Sequence, residues 1–194
     1  MSKKDQEVIV INRARFAEID MDLMSNLRKR VQAVFSSIPG FVSNTVWERV
    51  DDPFSFLTIG HFRSEDDSLK AWDMIVRSPV MEVIGDLLSE PQNNQRFFLR
   101  GSAGIKLEDT KPGQFCSVSA RISDMGYSEN VLTELHLIFQ ELQSIPGFLG
   151  YVTGQQTEIE DEVLGLAFWD SRQSFELSIP KKTMYEIDLY SRVL

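Results

Sequence analysis

Few residues in this chain could hold a metal. The 194 residues include one cysteine, Cys116, and two histidines, His61 and His136. A single cysteine excludes an intrachain disulfide and any metal site built from several thiolates. The two histidines lie far apart in the sequence and lack a second ligand at the spacing of a zinc site. We therefore expect a fold without a disulfide and without a bound metal.

The sequence also lacks the signatures of membrane insertion, secretion and nucleotide binding. No apolar run approaches the ~20 residues that a membrane-spanning helix needs, and the first residues lack the apolar stretch of a signal peptide. Neither a G-x-G-x-x-G loop, nor a phosphate-binding P-loop, nor a G-x-S-x-G elbow is present. We therefore predict a cytoplasmic protein that has no membrane partner and needs no cofactor.

Basic residues are in the minority. Lysine and arginine number 20 against 29 aspartates and glutamates, which gives a formal net charge of -9. Such a chain repels phosphate backbones and anionic lipids unless a local basic patch overrides the net charge. The one candidate patch, Arg28-Lys29-Arg30, is short and is interpreted as the solvated face of a helix. We expect no nucleic-acid partner.

What the sequence does contain is an internal repeat. The pentapeptide SIPGF at residues 37–41 returns at residues 144–148, an offset of 107 positions from 37 to 144. The same offset superposes Leu57 on Leu164 and Phe62 on Trp169 without a gap. It also aligns the apolar positions of a helix in each half, where Arg28 is the one mismatch. A shared register over so many positions indicates a duplicated module.

Each copy follows the order β-α-β-β-α-β of the ferredoxin-like unit. In the first copy we predict strands at residues 8–11, 42–50, 54–62 and 96–100, a helix at 22–35 and a second helix from Glu65, with Ser64 as its N-cap. In the second copy we predict strands at 115–122, 149–156, 162–169 and 185–193, a helix at 129–142 and a shorter one beyond Ser171. The predicted division is a first module at residues 1–103, a linker at 104–113 and a second module at 114–194.

Both faces of the third strand of each copy are largely apolar. A sheet covered by helices on one face only should carry polar residues on the other face. The second face therefore needs a cover, and the sheet of the other copy is the economical one. We predict an α+β fold in which two tandem modules form an intrachain pseudo-dimeric barrel. The positions that lead to this prediction are Leu57, Ile59 and His61 on one face of the first copy, and Phe54, Phe56 and Phe62 on the other.

Several short motifs of the first copy resemble the antibiotic-biosynthesis-monooxygenase superfamily. They are Ile38-Pro39-Gly40-Phe41, Asp52-Pro53, Phe62-Arg63-Ser64, Leu69-Lys70-Ala71-Trp72 and Ser78-Pro79. In many members of that superfamily a single module homodimerises into a barrel, so the resemblance implies the same ferredoxin-like fold here. Its activities include cofactor-independent oxygenation of aromatic polyketides, haem degradation and isomerase-like reactions. Fold alone does not choose among them.

The resemblance also implies site residues. Asn12 lies where haem-degrading and quinone-forming members have an asparagine, and its amide would polarise a substrate carbonyl or steady an anionic intermediate. A strand-end asparagine bonded to the backbone is the alternative, and the second copy has Ser119 there. Trp72 lies where the haem-degrading branch has a tryptophan that shapes a flat ligand, whereas a core aromatic is the alternative. The histidine that ligates haem in that branch is absent from residues 82–85, which argues against conventional haem binding.

Three further residues complete the predicted site. His61 is the near-neutral proton acceptor of the first copy if the pocket opens on its face, and otherwise a core histidine. Phe62 and its counterpart Trp169 are expected to pack against the ligand. The predicted site thus has Asn12 and His61 as catalytic residues and Trp72, Phe62 and Trp169 as substrate-binding residues.

These predictions lead to one principal function and two alternatives. The principal function is a cofactor-independent monooxygenase that acts on a small aromatic or quinol-like substrate. The first alternative is a non-catalytic protein that binds or senses a small molecule on the same scaffold, and the second is a haem-handling protein. In each case the partner is a small molecule, and association of pseudo-dimers into a further homodimer stays open.

Overall fold

The computed structural model describes residues 6–18, 20–179 and 187–194. Within these ranges each half of the chain contributes four strands to a single sheet. The first half contains β1 Val8–Arg15, α1 Met21–Phe35, β2 Phe41–Arg49, β3 Asp52–Phe62, α2 Glu65–Val76, α3 Pro79–Leu87 and β4 Asn93–Gly104. A short 3-10 helix, Leu107–Asp109, follows. The second half contains β5 Phe115–Ile122, α4 Ser128–Leu142, β6 Phe148–Gln156, β7 Glu162–Trp169, α5 Arg172–Ser178 and β8 Asp188–Arg192.

The eight strands close into one barrel. Their spatial order is β1-β3-β2-β8-β5-β7-β6-β4, and antiparallel pairing of β4 with β1 closes the ring. Within each half the order is that of the ferredoxin-like unit, and the pairs β2–β8 and β4–β6 join the halves. Each half therefore covers both outer strands of the other, which would otherwise expose unpaired backbone groups. The predicted intrachain pseudo-dimeric α+β barrel is confirmed.

The interior of the barrel is a core shared by the two halves. Because successive side chains of a strand point to opposite faces, one alternating set from every strand points inward. Trp47 of the first half stacks on Phe168 of the second, with ring centroids 5.9 Å apart and planes inclined by 29°. Leu57 and Ile59 meet Leu164 in the same buried cluster. The prediction that each sheet hides an apolar face against the other copy is therefore correct.

The helices cover the opposite, outer face of each half-sheet, and local sequence determines where they begin. Asp20 caps α1 by accepting hydrogen bonds from the backbone N–H groups of Asp22 and Leu23. Ser64 caps α2, as predicted, because its hydroxyl accepts from the backbone N–H of Asp67.

A break divides the single second helix that we predicted for the first half. The helix α2 ends at Val76, and α3 begins at Pro79 with Ser78 as its N-cap. Proline lacks the backbone N–H that would continue a preceding helix, and it fits the first position of a new one. The prediction of one continuous helix is therefore wrong, and the first half-sheet is covered by three helices.

The strand β4 extends beyond its predicted end at residue 100. Its last residues pair with β6 of the other half, where Ala103 is opposite Tyr151 and Gly104 is opposite Gly150. A Cβ atom at Gly104, whose φ is +79°, would lie 2.2 Å from the carbonyl oxygen of Leu149, so only glycine fits this crossing. Residues 185 and 186 of the predicted last strand lie outside the described residues. The division at residues 103 and 113 stays a prediction.

No helix within residues 6–18, 20–179 and 187–194 is long and apolar enough to cross a membrane. The cytoplasmic location stays a prediction.

The shared core predicts that the two halves unfold together. Replacing Trp47, which is fully buried, by alanine should lower the free energy of unfolding by about 3–5 kcal/mol, because the cavity weakens both halves. Urea denaturation followed by circular dichroism measures the loss. Tyr127→Ala, at an exposed aromatic residue, is the control and should change stability by less than about 0.5 kcal/mol. Two separate unfolding transitions in the parent protein would contradict the shared core.

Candidate functional site

A cavity lies in the first half, between the outer face of its sheet and the three helices α1, α2 and α3. Its volume is about 130 Å³. An apolar protein cavity of about 150 Å³ is large enough to bind benzene. The space is therefore of the size of a single aromatic ring.

The walls of the cavity are mainly apolar. Residues of all three helices close it from above, and aromatic and aliphatic side chains of the strands form its floor. Leu27 and Val31 of α1, Trp72 and Ile75 of α2, Met81 of α3 and Phe62 of β3 are among the lining residues. The surface is suited to a flat, apolar ligand body.

A row of polar side chains crosses the floor of the cavity. Asn94 of β4 pairs with Asn12 of β1, and Asn12 pairs with Thr58 of β3. Directly paired residues have Cβ atoms about 4.5–5.5 Å apart, so the three side chains are neighbours. Asn44 of β2 lies on the same face, opposite Gly60. The cavity thus combines an apolar body with a few convergent polar groups.

Three buried polar atoms of the lining residues have no hydrogen-bond partner in the described part of the chain. They are the Oδ1 atoms of Asn12 and Asn44 and the Nε atom of Arg28. Asn44 is only 7% exposed. An unsatisfied buried polar atom costs about 1–3 kcal/mol, and most such atoms in folded proteins are paired. Two acceptors and one donor around one cavity indicate a ligand that supplies their partners.

Arg28 gives the cavity a positive charge. It lies in the middle of α1, and burial lowers the pKa of its guanidinium below the ordinary value. Among the residues that line the cavity in the described structure, none is an aspartate or glutamate. Burial lowers the pKa of the neighbouring Arg192 to about 10, and the positive charge of Arg28 contributes to this shift. The basic patch was predicted to be a solvated helix face. Lys29 and Arg30 are exposed, whereas Arg28 is half-buried at the cavity.

Three of the five predicted site residues meet at this cavity. Asn12, Trp72 and Phe62 all line it. Phe62 is buried and packs edge to face on Phe35, with ring centroids 5.9 Å apart. Trp72 is half-buried against the cluster that contains Leu27. The structure thus brings together the asparagine and the two aromatic residues expected to surround a ligand.

The structure does not bring His61 to the cavity. His61 follows Gly60, which lines the cavity, and therefore points to the opposite face of the sheet, towards one end of the barrel interior. Its Nε2 atom lies 3.4 Å from Glu7 Oε2, and its Nδ1 atom lies 4.0 Å from Glu108 Oε2. Strand β3 separates the imidazole from the space that holds Asn12.

Trp169 lies in the second half and belongs to a filled core. Its Nε1 atom donates a hydrogen bond to the hydroxyl of Ser117, 3.1 Å away, and its ring packs edge to face on Phe148 at 5.1 Å. Trp169 therefore does not share the cavity of its counterpart Phe62.

Large side chains fill the corresponding space of the second half. Tyr151, the counterpart of Asn44, stacks on Phe139 with ring centroids 4.7 Å apart. A Cβ atom at Gly165, the counterpart of Thr58, would lie 3.2 Å from Phe139 and 3.5 Å from Leu135. Leu135 replaces Arg28 at the corresponding helical position. The second module has therefore exchanged the polar cavity for a packed core.

Sequence reasoning missed Arg28 and Asn44. The offset of 107 aligned Arg28 with Leu135, and this single charged mismatch in an apolar helical pattern was the available signal. Asn44 interrupts the apolar residues Val42 and Val46 on one face of β2. A polar residue at a core-facing position is the corresponding signal in a strand.

Neither a metal cluster nor a reactive thiol adds to this site. No group of three or more histidine, cysteine, aspartate and glutamate side chains suited to a metal occurs among the residues that the structure describes. Cys116 lies inside the barrel, where burial raises the pKa of its thiol. A thiol that stays protonated is a poor nucleophile.

Comparison with known proteins finds a common fold without a close sequence relative. No protein-family profile matches the chain, and no curated protein sequence matches it significantly. Among solved structures, an anthrone oxidase-like protein superposes with a TM-score of 0.73 at 16% identity, over 100% of this chain and 94% of that chain. A candidate monooxygenase from Fusobacterium nucleatum has a TM-score of 0.75 at 7% identity, over 96% of this chain and 92% of that chain.

A third solved structure carries the name of the predicted superfamily. It is a ferredoxin-fold protein from Listeria monocytogenes, described as related to antibiotic biosynthesis monooxygenases, with a TM-score of 0.59 at 10% identity over 98% of this chain and 96% of that chain. These matches span both modules, and they support the predicted resemblance at the level of the fold. At such identities the activity has to be argued from the site.

The unpaired charge of Arg28 predicts a stability gain when it is removed. Arg28→Leu installs the residue that the second half has at this position, and it should raise the free energy of unfolding by about 1 kcal/mol. For a chain of this length the melting temperature should rise by about 2–4 °C in the ligand-free protein. Arg30→Leu, at an exposed position of the same helix, should leave it nearly unchanged. A lower melting temperature for Arg28→Leu would show that the guanidinium is stabilising.

Proposed function

We propose that the protein is a cofactor-independent monooxygenase that binds a small aromatic or quinol-like substrate in the cavity of its first half. The observation that carries this proposal is a cavity of the size of one ring whose lining residues include three unpartnered polar atoms. The fold shared with an anthrone oxidase-like protein and with a candidate monooxygenase supports the reaction class. The shape and polarity of the cavity determine which substrate binds.

Binding would place the ring between the helices and the polar row of the floor. Phe62 and Trp72 contact the faces and edges of the ring, and Leu27 closes the space from α1. The Oδ1 atoms of Asn12 and Asn44 accept hydrogen bonds from hydroxyl groups of the substrate. Burial of these polar atoms fixes the orientation of the ring, because a misplaced hydroxyl leaves an acceptor unsatisfied.

The substrate itself supplies the electrons for the reaction. For a phenol with a free para position, one atom of O₂ forms a bond to the para carbon, and the other leaves as water. That water takes the hydrogen of the para carbon and one proton from solvent, which replaces the proton that the phenol released on ionising, so phenol and O₂ together give a para-quinone and water. The ring is oxidised, and O₂ is reduced. The Nδ2–H group of Asn12 would donate a hydrogen bond to the ring oxygen and steady its negative charge, while its Oδ1 atom accepts from a second hydroxyl group.

The cavity offers no side-chain base for this reaction. Its lining residues in the described structure include no histidine, aspartate, glutamate, lysine, cysteine or tyrosine, and His61 lies across the sheet from Asn12. A substrate that ionises in solution before it binds needs no such base. The chain's own residues then contribute orientation, exclusion of water and stabilisation of negative charge.

The same absence of a base favours a second candidate function, a protein that binds or senses an aromatic molecule without turning it over. A binding protein needs the ring-sized space and the polar contacts but no proton acceptor. Both candidates require binding in the first-half cavity, so binding alone does not separate them. Only the monooxygenase consumes oxygen.

Oxygen uptake with a panel of naphthols and phenols that have a free para position tests the proposed function. We expect uptake by the parent protein, and a decrease of about 10²–10³-fold in kcat for Asn12→Ser, which installs the residue of the second half. Ser119→Asn, the reciprocal change in the filled half, is the control and should retain parental uptake.

The panel also separates the two candidates. Saturable binding of a panel compound without oxygen uptake by the parent would reject the oxygenase and leave the binding protein. Uptake that is unchanged in Asn12→Ser would reject the assigned role of Asn12.

A further inference from the structure

The least explained feature of the cavity is a cation without a side-chain counter-ion. The Nε atom of Arg28 is buried without an acceptor in the part of the chain that the structure describes. The other arginine of the cavity wall differs, because Arg96 Nη1 lies 3.5 Å from the carboxylate of Glu158. Arg28 is half-buried, and an Nε–H group that leaves water without gaining an acceptor destabilises the folded chain. Its retention over the cavity requires an explanation.

A ligand of suitable charge would remove that cost. We propose that the cavity binds its aromatic ligand as an oxyanion, with the charged oxygen against the Nε atom of Arg28 and a hydroxyl group against Asn12 or Asn44. The inference rests on the proposed function, because it concerns the same cavity and names the ionisation state of its substrate. The Nε–H group of Arg28 calls for one anionic oxygen on the ligand. The two amide oxygens call for up to two hydroxyl groups on the ligand.

The polar pattern distinguishes a hydroxylated phenolate from other anions. A phosphate group has no apolar body to fill the walls of the cavity, and its ionised oxygens supply no hydrogen to Asn12 Oδ1 or Asn44 Oδ1. A simple carboxylate has no hydrogen to donate to either amide oxygen. The monoanion of a dihydroxylated ring supplies both the negative oxygen and the remaining O–H. Its ring also matches the apolar walls formed by residues such as Leu27 and Phe62.

Ionic binding changes how the cavity would select its ligand. If the anion binds more tightly than the neutral acid, binding lowers the pKa of the ligand, and each tenfold preference corresponds to about one pKa unit. Arg28 would then act as a binding residue that holds the ligand in its ionised form. Deprotonation takes place by exchange with solvent, and no proton acceptor is needed in the cavity.

The test uses para-nitrophenol, whose ionised form absorbs visible light, and para-nitroanisole, its neutral analogue. With the intact protein in excess, we expect bound para-nitrophenol to ionise at a pH at least about one unit lower than the free compound. We expect para-nitrophenolate to bind at least about tenfold more tightly than para-nitroanisole. Absorbance titration across pH and equilibrium dialysis measure these two quantities.

Variants assign the preference to one side chain. Arg28→Gln should abolish both the pKa shift of the probe and its preference over para-nitroanisole, whereas Arg28→Lys should retain part of each. Arg30→Gln, at an exposed residue two positions further along α1, should behave as the parent. Circular dichroism melting curves of each variant establish that the fold is intact.

Equal affinity for the two compounds would overturn the inference, as would a preference that survives Arg28→Gln or no binding of either compound. Oxygen uptake remains a separate readout. A protein that consumes oxygen with aromatic substrates but fails this test keeps the proposed function and loses the anion assignment. A protein that passes this test but consumes no oxygen keeps the anion site and loses the monooxygenase.

Discussion

The constraint on which this structure depends is that each half-sheet is largely apolar on both faces. One face is buried when the two halves close into a barrel, where Trp47 stacks on Phe168. The other face is covered by helices of the same half. Neither module could bury both of its faces alone, because helices cover one face and the edge strands would remain unpaired. Duplication within one chain supplies the missing cover in a fixed geometry.

The functional asymmetry arises on the helical side, where the two copies have diverged. In the second half Tyr151, Phe139 and Leu135 fill the space between helix and sheet. In the first half the corresponding region holds Asn44 and Arg28, and a cavity of about 130 Å³ remains. A packed core is the stable arrangement, whereas unpartnered polar atoms cost stability. The first half retains the less stable arrangement, which is typical of a binding site, and the filled second half stabilises the barrel.

The barrel could be predicted from the sequence because the repeat and the two apolar faces of Leu57 and Phe62 leave few other folds. Side-chain alternation also placed His61 on the face of Leu57, opposite Phe62. What periodicity could not tell was which of two apolar faces the helices cover, and so His61 was assigned to the site. Arg28 was expected at a solvated position, because helical spacing does not reveal how closely a helix approaches the sheet. The unpartnered Nε atom becomes visible only when the packing of α1 is known.

The central claim is that the space beneath the helices is hollow in the first half and filled in the second. Xenon enters apolar protein cavities, so diffraction from crystals pressurised with xenon measures this directly. The account predicts a xenon atom between Leu27 and Phe62 and none between Phe139 and Gly165. Xenon in the second half, or an empty first half, would contradict it.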